Sequence, residues 1–476
     1  MRALDYRRHW PHIVLVLVVF VVNGAYSLYA QHAPAIGPDF DRQYSLIAEH
    51  IVRDGVYSRG ERDATGQLQQ TATLPPLFVL LYTASFVLFG FGGAAHEAIR
   101  ILFVLANIGT ILVSWRIGTL FSRRAGYFTV AIAVLDVTAL YFTQNYGIPD
   151  SLFGFWMALM VFYLTKVFLG EASYRNVFFG SLFLGLGMWT KVAPYMLWVP
   201  IAALLIPFLW RHRAVSRDRK VRIFSIFAVM MTLFFGGWKL RNYFAIGYGN
   251  FTTVGATAYR WNASHLIARQ EGISREEASD ALVRRYVKED VLRLDEGARN
   301  RYLSSVYMPF LLRSPITFSY VTLRALPGFF LGTFPPHLFS TGEEARAFQE
   351  RVEDARGYRA LLPQLWSEGH SRYVAIYVAA KTHLLVLYSA VLIGAIVLFR
   401  RSRERFVLVF FSLVVAYLVV VSGAAAQARY RTMIMPIMYA LGGVGIAYVW
   451  ERLSARRTSS RGALRAPSIS TMDTPQ

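Results

Sequence analysis

Residues 406–421 read FVLVFFSLVVAYLVVV, a run in which only Ser412 and Tyr417 carry a polar side-chain atom and none carries a charge. A helix needs about 20 predominantly apolar residues to cross the hydrocarbon core of a bilayer, and this run with its neighbours supplies them. Residues 13–22, IVLVLVVFVV, repeat the pattern near the start of the chain. Working outward, the 476 residues are 55% hydrophobic and 15% aromatic, with only 17% charged. A water-soluble protein of that length has too little interior to hide so much apolar surface. Soluble-enzyme, fibrous, disulfide-scaffold and disordered classes are therefore excluded. The chain contains no cysteine, so disulfides, thiolate nucleophiles and Cys-ligated metals are excluded too.

Ten stretches are apolar for about the required length: 12–30, 98–121, 125–143, 150–169, 176–190, 192–210, 221–238, 380–399, 406–423 and 433–450. The first is long for the h-region of a cleaved signal, and it reads as a membrane span. Two further stretches are ambiguous. Residues 74–90 begin with Pro75-Pro76 and are short, and residues 316–333 carry Arg324 and Pro327 in their middle. The predicted fold is an all-α polytopic membrane bundle of about 10–12 transmembrane helices, with amphipathic interfacial helices in the first outer loop.

Charge orients the bundle. The chain has 50 Lys and Arg against 29 Asp and Glu, a net +21. In a soluble chain that excess would suggest nucleic acid. Here the basic residues sit in short connections between apolar runs, which is the pattern of cytoplasmic loops and argues against nucleic acid. Arg2, Arg7 and Arg8, Arg123-Arg124, the group Arg211 to Arg222, the group Arg400 to Arg405, and Arg452, Arg456 and Arg457 all fall on one side only if 74–90 does not cross. That segment is therefore expected to lie along the interface, and 303–333 to lie along it or to form a hairpin crossing twice. Residues 1–452 then form the membrane domain. Residues 31–97 are its first outer loop, 240–375 its large outer segment, and 453–476 a disordered basic cytoplasmic tail. No internal repeat is visible, which weighs against a transporter.

Charges on the opposite side need another reason. Asp39, Asp41, Asp150, Lys191, Lys239, Arg241, Arg429 and Arg431 map to outward helix ends in at least five separate segments. Snorkelling explains any one of these cations. As a set they oppose the orientation bias and mark a cavity. Carboxylates there can act as a general base on a hydroxyl, and the cations can hold a phosphate, arginine in bidentate fashion and lysine as a point charge. Asp136, inside the span 125–143, is as readily a paired structural acid and is left outside the site.

The residues at this point resemble a family. Gly37-Pro38-Asp39-Phe40-Asp41 with Tyr44, Ile47-Ala48 and Gly55-Val56-Tyr57-Ser58 is similar to the first outer loop of GT-C membrane glycosyltransferases of the family 39 type. Those include the dolichyl-phosphate-mannose–protein mannosyltransferases and the lipid A aminoarabinose transferase. Leu74-Pro75-Pro76-Leu77 through Phe89-Gly90 resembles their interfacial helix, and Pro149-Asp150-Ser151-Leu152-Phe153 their second acidic motif. Gly185-Leu186-Gly187-Met188-Trp189-Thr190-Lys191, Trp238-Lys239-Leu240-Arg241-Asn242-Tyr243, and Arg429-Tyr430-Arg431 followed by Pro436 resemble three more. The motifs are short but run in order along nearly the whole chain. One departure stands out: the relatives place the catalytic Asp four residues before the Tyr, whereas here Asp39 lies five and Asp41 three before Tyr44. Asp41, at the helix start, is the preferred base and Asp39 the second choice.

The resemblance implies a transferase that moves a sugar from a polyprenyl-phosphate-linked donor to a hydroxyl on a lipid, glycan or protein, with inversion. It implies that Lys191, Arg241, Arg429 and Arg431, with Lys239, hold the donor phosphate, that Asp150 orients the acceptor or one cation, and that Tyr44 contacts substrate. The absence of a G-x-x-x-x-G-K-[ST] loop fits a lipid-linked donor. The expected location is a bacterial inner membrane, multi-pass, with the site facing the periplasm. No motif in the sequence names a cofactor. A divalent metal stays an open alternative, since His32 and His50 could join Asp39 or Asp41. The competing classes are a flippase or transporter of lipid-linked sugar, expected to show repeats and midplane charges, and a lipid-binding scaffold, which needs no carboxylates beside phosphate-binding cations.

Overall fold

The computed structural model describes residues 6–30, 38–62, 65–144, 149–212, 215–332, 363, 366–367, 371–423 and 428–463. The side chains of 6–12, 28–30, 38–41, 141–144, 254–258, 371–373 and 457–463 fall outside the described set. Among the described residues the architecture is all helical, with a single isolated bridge between Arg62 and Leu68. The chain enters through α1 (Tyr6–Ala30), α2 (Pro38–Asp54) and α3 (Pro76–Phe89). The first part of the bundle follows as α4 (Gly93–Thr119), α5 (Arg123–Val134), α6 (Val137–Gln144), α7 (Asp150–Phe168), α8 (Tyr174–Thr190) and α9 (Trp198–Arg211). Next come α10 (Arg217–Met231) and α11 (Gly237–Ile246), joined through a π turn at Thr232–Gly236. The outer segment holds α12 (Val254–Glu271), α13 (Arg275–Tyr286), α14 (Glu289–Leu292), α15 (Glu296–Arg313) and α16 (Pro315–Leu331). The chain closes with α17 (Ser371–Arg400), α18 (Arg405–Ser422), α19 (Ala428–Arg431) and α20 (Met435–Ala463).

Local chemistry fixes many of these ends. Ser122, Ser173, Ser216 and Ser274 each accept from a backbone N–H in the first turn of the helix that follows, and Ser274 closes a reciprocal box with Glu277. Such caps satisfy donors that would otherwise be orphaned, each for about 1 kcal/mol. Gly247 and Gly272 end α11 and α12 in the left-handed conformation, where a Cβ would be strained.

Five described helices are long and apolar enough to cross a membrane: α4, α7, the α10–α11 rod, α17 and α18. Several of the predicted spans are interrupted. The stretch 125–143 breaks at Asp136, whose carboxylate caps the second piece by accepting from Ala139 N at 3.0 Å. The stretch 192–210 becomes helical only at Trp198, after turns around Pro194. α3 is 14 residues long, about 21 Å at 1.5 Å per residue, and too short for a core of about 30 Å. It packs a face of Phe78, Val79, Tyr82 and Phe86 against α2 and α4. α15 and α16 meet at Ser314 and share little contact, so 303–333 does not fold back as a tight hairpin. The final helix runs to Ala463, well into the stretch read as a disordered tail from 453, while 464–476 lie outside the described residues.

The main apolar cluster runs through α4, α5, α7–α10, α17, α18 and α20, with a second joining α2, α3 and α4. Gly394 and Gly445 let α17 and α20 touch backbone to backbone, because a Cβ on either would overlap a carbonyl of the other helix. Aromatic pairs set the level of the helix ends. Phe168 stacks near Phe410 (5.0 Å), Phe121 near Phe411 (6.5 Å) and Phe208 near Phe406 (5.2 Å). Arg403 also donates to the carbonyl of Leu169 at 3.1 Å. The connections after α4, α7, α9 and α17 therefore share one end of the bundle, which is rich in arginine. The start of α7 lies at the other end, one helix length of 19 residues away, about 28 Å. A reporter fused after Gly93 is expected to read the outer side and one fused after His212 the inner side; identical signals would break this layout.

Candidate functional site

Asp150 opens α7 directly after Pro149, and its side chain is 0% exposed. An isolated carboxylate at that depth is costly and must be paired. Lys191 supplies the pair. It ends α8 in extended conformation, and its ammonium donates to Asp150 Oδ1. The other carboxylate oxygen, Oδ2, lies 3.6 Å from Arg429 Nε, an ion-pair separation that is too long for a hydrogen bond. Arg429 comes from the short helix α19, and its guanidinium donates to the Tyr430 hydroxyl at 3.1 Å. The Tyr430 ring also takes both cations, with Lys191 Nζ 5.1 Å and Arg429 Cζ 4.9 Å from its centroid. Among the described residues one carboxylate thus faces two cations.

Tyr44 brings α2 to this cluster. It is buried and packs edge-on against Phe78, 4.7 Å between centroids. Burial, with the Asp150 charge adding and the Arg429 charge subtracting, holds its hydroxyl well above the ordinary tyrosine range. The group stays protonated and can donate a hydrogen bond; it is no base. Asp39 and Asp41 lie in the first turn of α2, but their side chains are outside the described residues, as is His32. His50 bonds Asp54 at 2.8 Å. Among the described residues no three His, Asp or Glu side chains gather as a metal site.

The remaining sequence candidates go elsewhere. Arg241 donates to Thr71 O at 2.7 Å and lies over the rings of Tyr57 and Trp238 at 4.8 and 5.0 Å. It therefore ties α11 to the first outer loop. Lys239 lies 5.1 Å above the ring of Phe235. Arg431 is 1% exposed and turns away from Arg429, donating to Phe330 O at 2.6 Å and to Gly332 O at 2.9 Å. Its second terminal nitrogen has no hydrogen-bond partner among the described residues. Lys191 and Arg429 thus meet Asp150, while Arg431 faces α16 and α17.

Two features escaped the sequence reading, Tyr430 and Glu296. Tyr430 was visible only as the middle of Arg-Tyr-Arg, with nothing in the pattern to mark its ring as a seat for two cations. Glu296 reads as an ordinary first-turn acid of α15, yet its Oε1 accepts from Ala72 N (3.0 Å) and Thr253 Oγ1 (2.7 Å) and clasps the first loop to the outer segment. Asp136 is clamped by the Tyr439 hydroxyl at 2.9 Å, the paired structural acid considered from sequence.

No family model and no curated protein matches the chain. Solved structures do. The oligosaccharyltransferase AglB from Archaeoglobus fulgidus, in complex with an inhibitory peptide and a dolichol-phosphate, aligns at TM-score 0.53 and 13% identity over 99% of this chain. The apo form of the Archaeoglobus fulgidus oligosaccharyltransferase aligns at TM-score 0.53 and 11% identity over 96%. ArnT from Cupriavidus metallidurans bound to undecaprenyl phosphate aligns at TM-score 0.37 and 14% identity, covering 97% of this chain and 82% of that one. The chain spans about half of the oligosaccharyltransferase, 53% and 52% in the two alignments. The fold is a GT-C-like, all-α, multi-pass membrane fold.

Proposed function

We propose that this chain is a membrane glycosyltransferase of the family 39-like GT-C type, moving a hexosyl or pentosyl unit from a polyprenyl-phosphate-linked donor to a hydroxyl of a lipid, glycan or protein. The observation that carries the reading is the Asp150–Lys191–Arg429 cluster, in which one fully buried carboxylate meets two cations, set at one end of a GT-C-like bundle beside a helix that bears two further aspartates. The dolichol-phosphate in the aligned oligosaccharyltransferase supports a lipid-linked donor. On this reading the site faces the periplasm from a bacterial inner membrane.

The chemistry is a single displacement. Asp41 or Asp39 accepts the proton of the acceptor hydroxyl as its oxygen bonds to the anomeric carbon. The carbon–oxygen bond to phosphate breaks, and the polyprenyl phosphate leaves with the electron pair. Attack from the opposite side inverts the sugar. Lys191 and Arg429 neutralise the leaving phosphate, with Asp150 holding both at fixed positions. Arg431, on the same short helix, holds the end of α16 through Phe330 O and Gly332 O and so supports Arg429 from behind. Arg241 and Lys239 shape the outer-loop wall, and the Tyr44 hydroxyl donates to substrate oxygen.

Purified protein in nanodiscs, given polyprenyl-phosphate hexose and pentose donors, tests this by mass spectrometry of the released polyprenyl phosphate. Arg429→Ala is expected to cut transfer about 10- to 100-fold, the worth of one lost charge-assisted contact. Arg429→Lys should restore part of it, because the fork is lost and the charge kept. Arg217→Ala, at the far end of the bundle, serves as control. Equal behaviour of Arg429→Ala and Arg217→Ala would defeat the assignment.

A further inference from the structure

A charged cavity among the described residues lies away from the Asp150 site. It lies at the arginine-rich end, between the α7–α8 connection and the α9–α10 connection, and measures about 580 Å³. Lys166, Arg175, Arg219 and His212 line it, against Glu171 as the one acid. Glu171 is taken, since it pairs with Lys166 at 3.0 Å. Arg175 and Arg219 have no carboxylate partner among the described residues and only rest near the rings of Phe179 and Tyr174, at 5.9 and 5.7 Å. The N-terminus of α8, a 17-residue helix capped by Ser173, points its dipole at the same space. Among the described residues the cavity is a cationic bowl, with Lys166, Arg175, Arg219 and His212 set against Glu171.

Its surroundings say what kind of group. Tyr163 lines the cavity and begins a half-buried aromatic ladder that climbs the outside of α7 and α8. Tyr163 stacks on Phe179 (5.2 Å, 28°) and Phe183 (5.8 Å, 25°), and Phe183 stacks on Trp156 (5.8 Å, 9°). Phe178 beside the ladder is 41% exposed and Trp210, near the end of α9, 66% exposed. A soluble anion would need only the bowl. A bowl that opens onto an apolar aromatic stripe in the bilayer fits a molecule with a phosphate at one end and acyl chains at the other. Basic pockets between helix ends on the positively charged side of a membrane protein suit such headgroups.

We infer that this cavity is a seat for an anionic phospholipid, its phosphodiester headgroup held by Arg175 and Arg219 and the start of α8, and one acyl chain lying along Tyr163, Phe179, Phe183 and Trp156. The seat is one helix length from Asp150 and does not depend on the transferase reading. It would fix the packing of α7 against α8, the two helices that carry Asp150 and Lys191 at their far ends.

The test is thermal stability of the purified full chain in a neutral detergent, titrated with dioctanoyl-phosphatidylglycerol, dioctanoyl-phosphatidylcholine or inorganic phosphate. The phosphatidylglycerol is expected to raise Tm saturably, and the other two are not. Arg175→Gln with Arg219→Gln should weaken the half-saturating concentration about thirtyfold, at about 1 kcal/mol per basic residue near the surface. Arg217→Gln, at the same end outside the cavity, should leave it unchanged. Tyr163→Ala should weaken phosphatidylglycerol without creating a response to phosphate. The proposal is overturned if phosphate stabilises as well as the lipid, which would make this a soluble-anion site. It is also overturned if the arginine double variant and Arg217→Gln titrate alike, which would make the attraction diffuse.

Discussion

Asp41→Asn is expected to lower turnover by at least about 100-fold, the usual contribution of a general base, while the protein still inserts and folds. Helical register supports Asp41 over Asp39. With about 100° per residue, Asp41 lies about 60° around α2 from Tyr44, and Asp39 about 140°. Tyr44 is the residue of α2 that feels the charges of Asp150 and Arg429, so the position nearer its face is the better placed for chemistry beside them. Asp39→Asn should therefore cost less. The measurement is single-turnover transfer in nanodiscs, with expression and thermal unfolding as controls. Full activity in both single variants and in the double variant would remove the proposed base.

The second large effect is on stability. Lys191→Met leaves a carboxylate that is fully buried with Arg429 at 3.6 Å as its remaining cation. Breaking a buried pair from one side costs about 3–5 kcal/mol, and the arginine keeps the expected loss near the lower figure. Replacing both partners, Asp150→Leu with Lys191→Met, should recover most of that loss, because no unpaired charge remains. Transfer should be absent in both variants. Unfolding by SDS titration separates the two effects. A Lys191→Met protein as stable as the unmodified chain would mean that Asp150 is neutral or otherwise satisfied.

How much of this was legible depended on the physical signal. Long apolar runs such as 406–421 announced helices, because transfer to lipid is a property of composition. Where a span was broken, the cause was local and quieter: a capping aspartate at 136, or turns around Pro194. The basic connections gave the shared end of the bundle through charge alone. Asp150, Lys191 and Arg429 stood out in the sequence as misplaced charges, but their pairing did not. Lys191 and Arg429 are cations of the same outward class as Arg241 and Arg431 in the sequence. What separates them is which carbonyls and carboxylates lie within reach, a matter of distances set by packing. Glu296 and the second cation on Tyr430 were invisible for the same reason, since Ala72, Thr253 and Lys191 lie far away in the chain.

The order in which the cluster's members are made carries a consequence for biogenesis. Asp150 and Lys191 are 41 residues apart and belong to consecutive helices, so they leave the ribosome together. Arg429 follows roughly 240 residues later, which at about 5–20 residues per second is roughly 12–50 s. A lone acid at the centre of an inserting helix costs a few kcal/mol. Here the acid sits at a helix end and has an ammonium on the very next helix, so this pair of helices can enter lipid electrically self-contained. Arg429 joins the pair only when the last helices arrive.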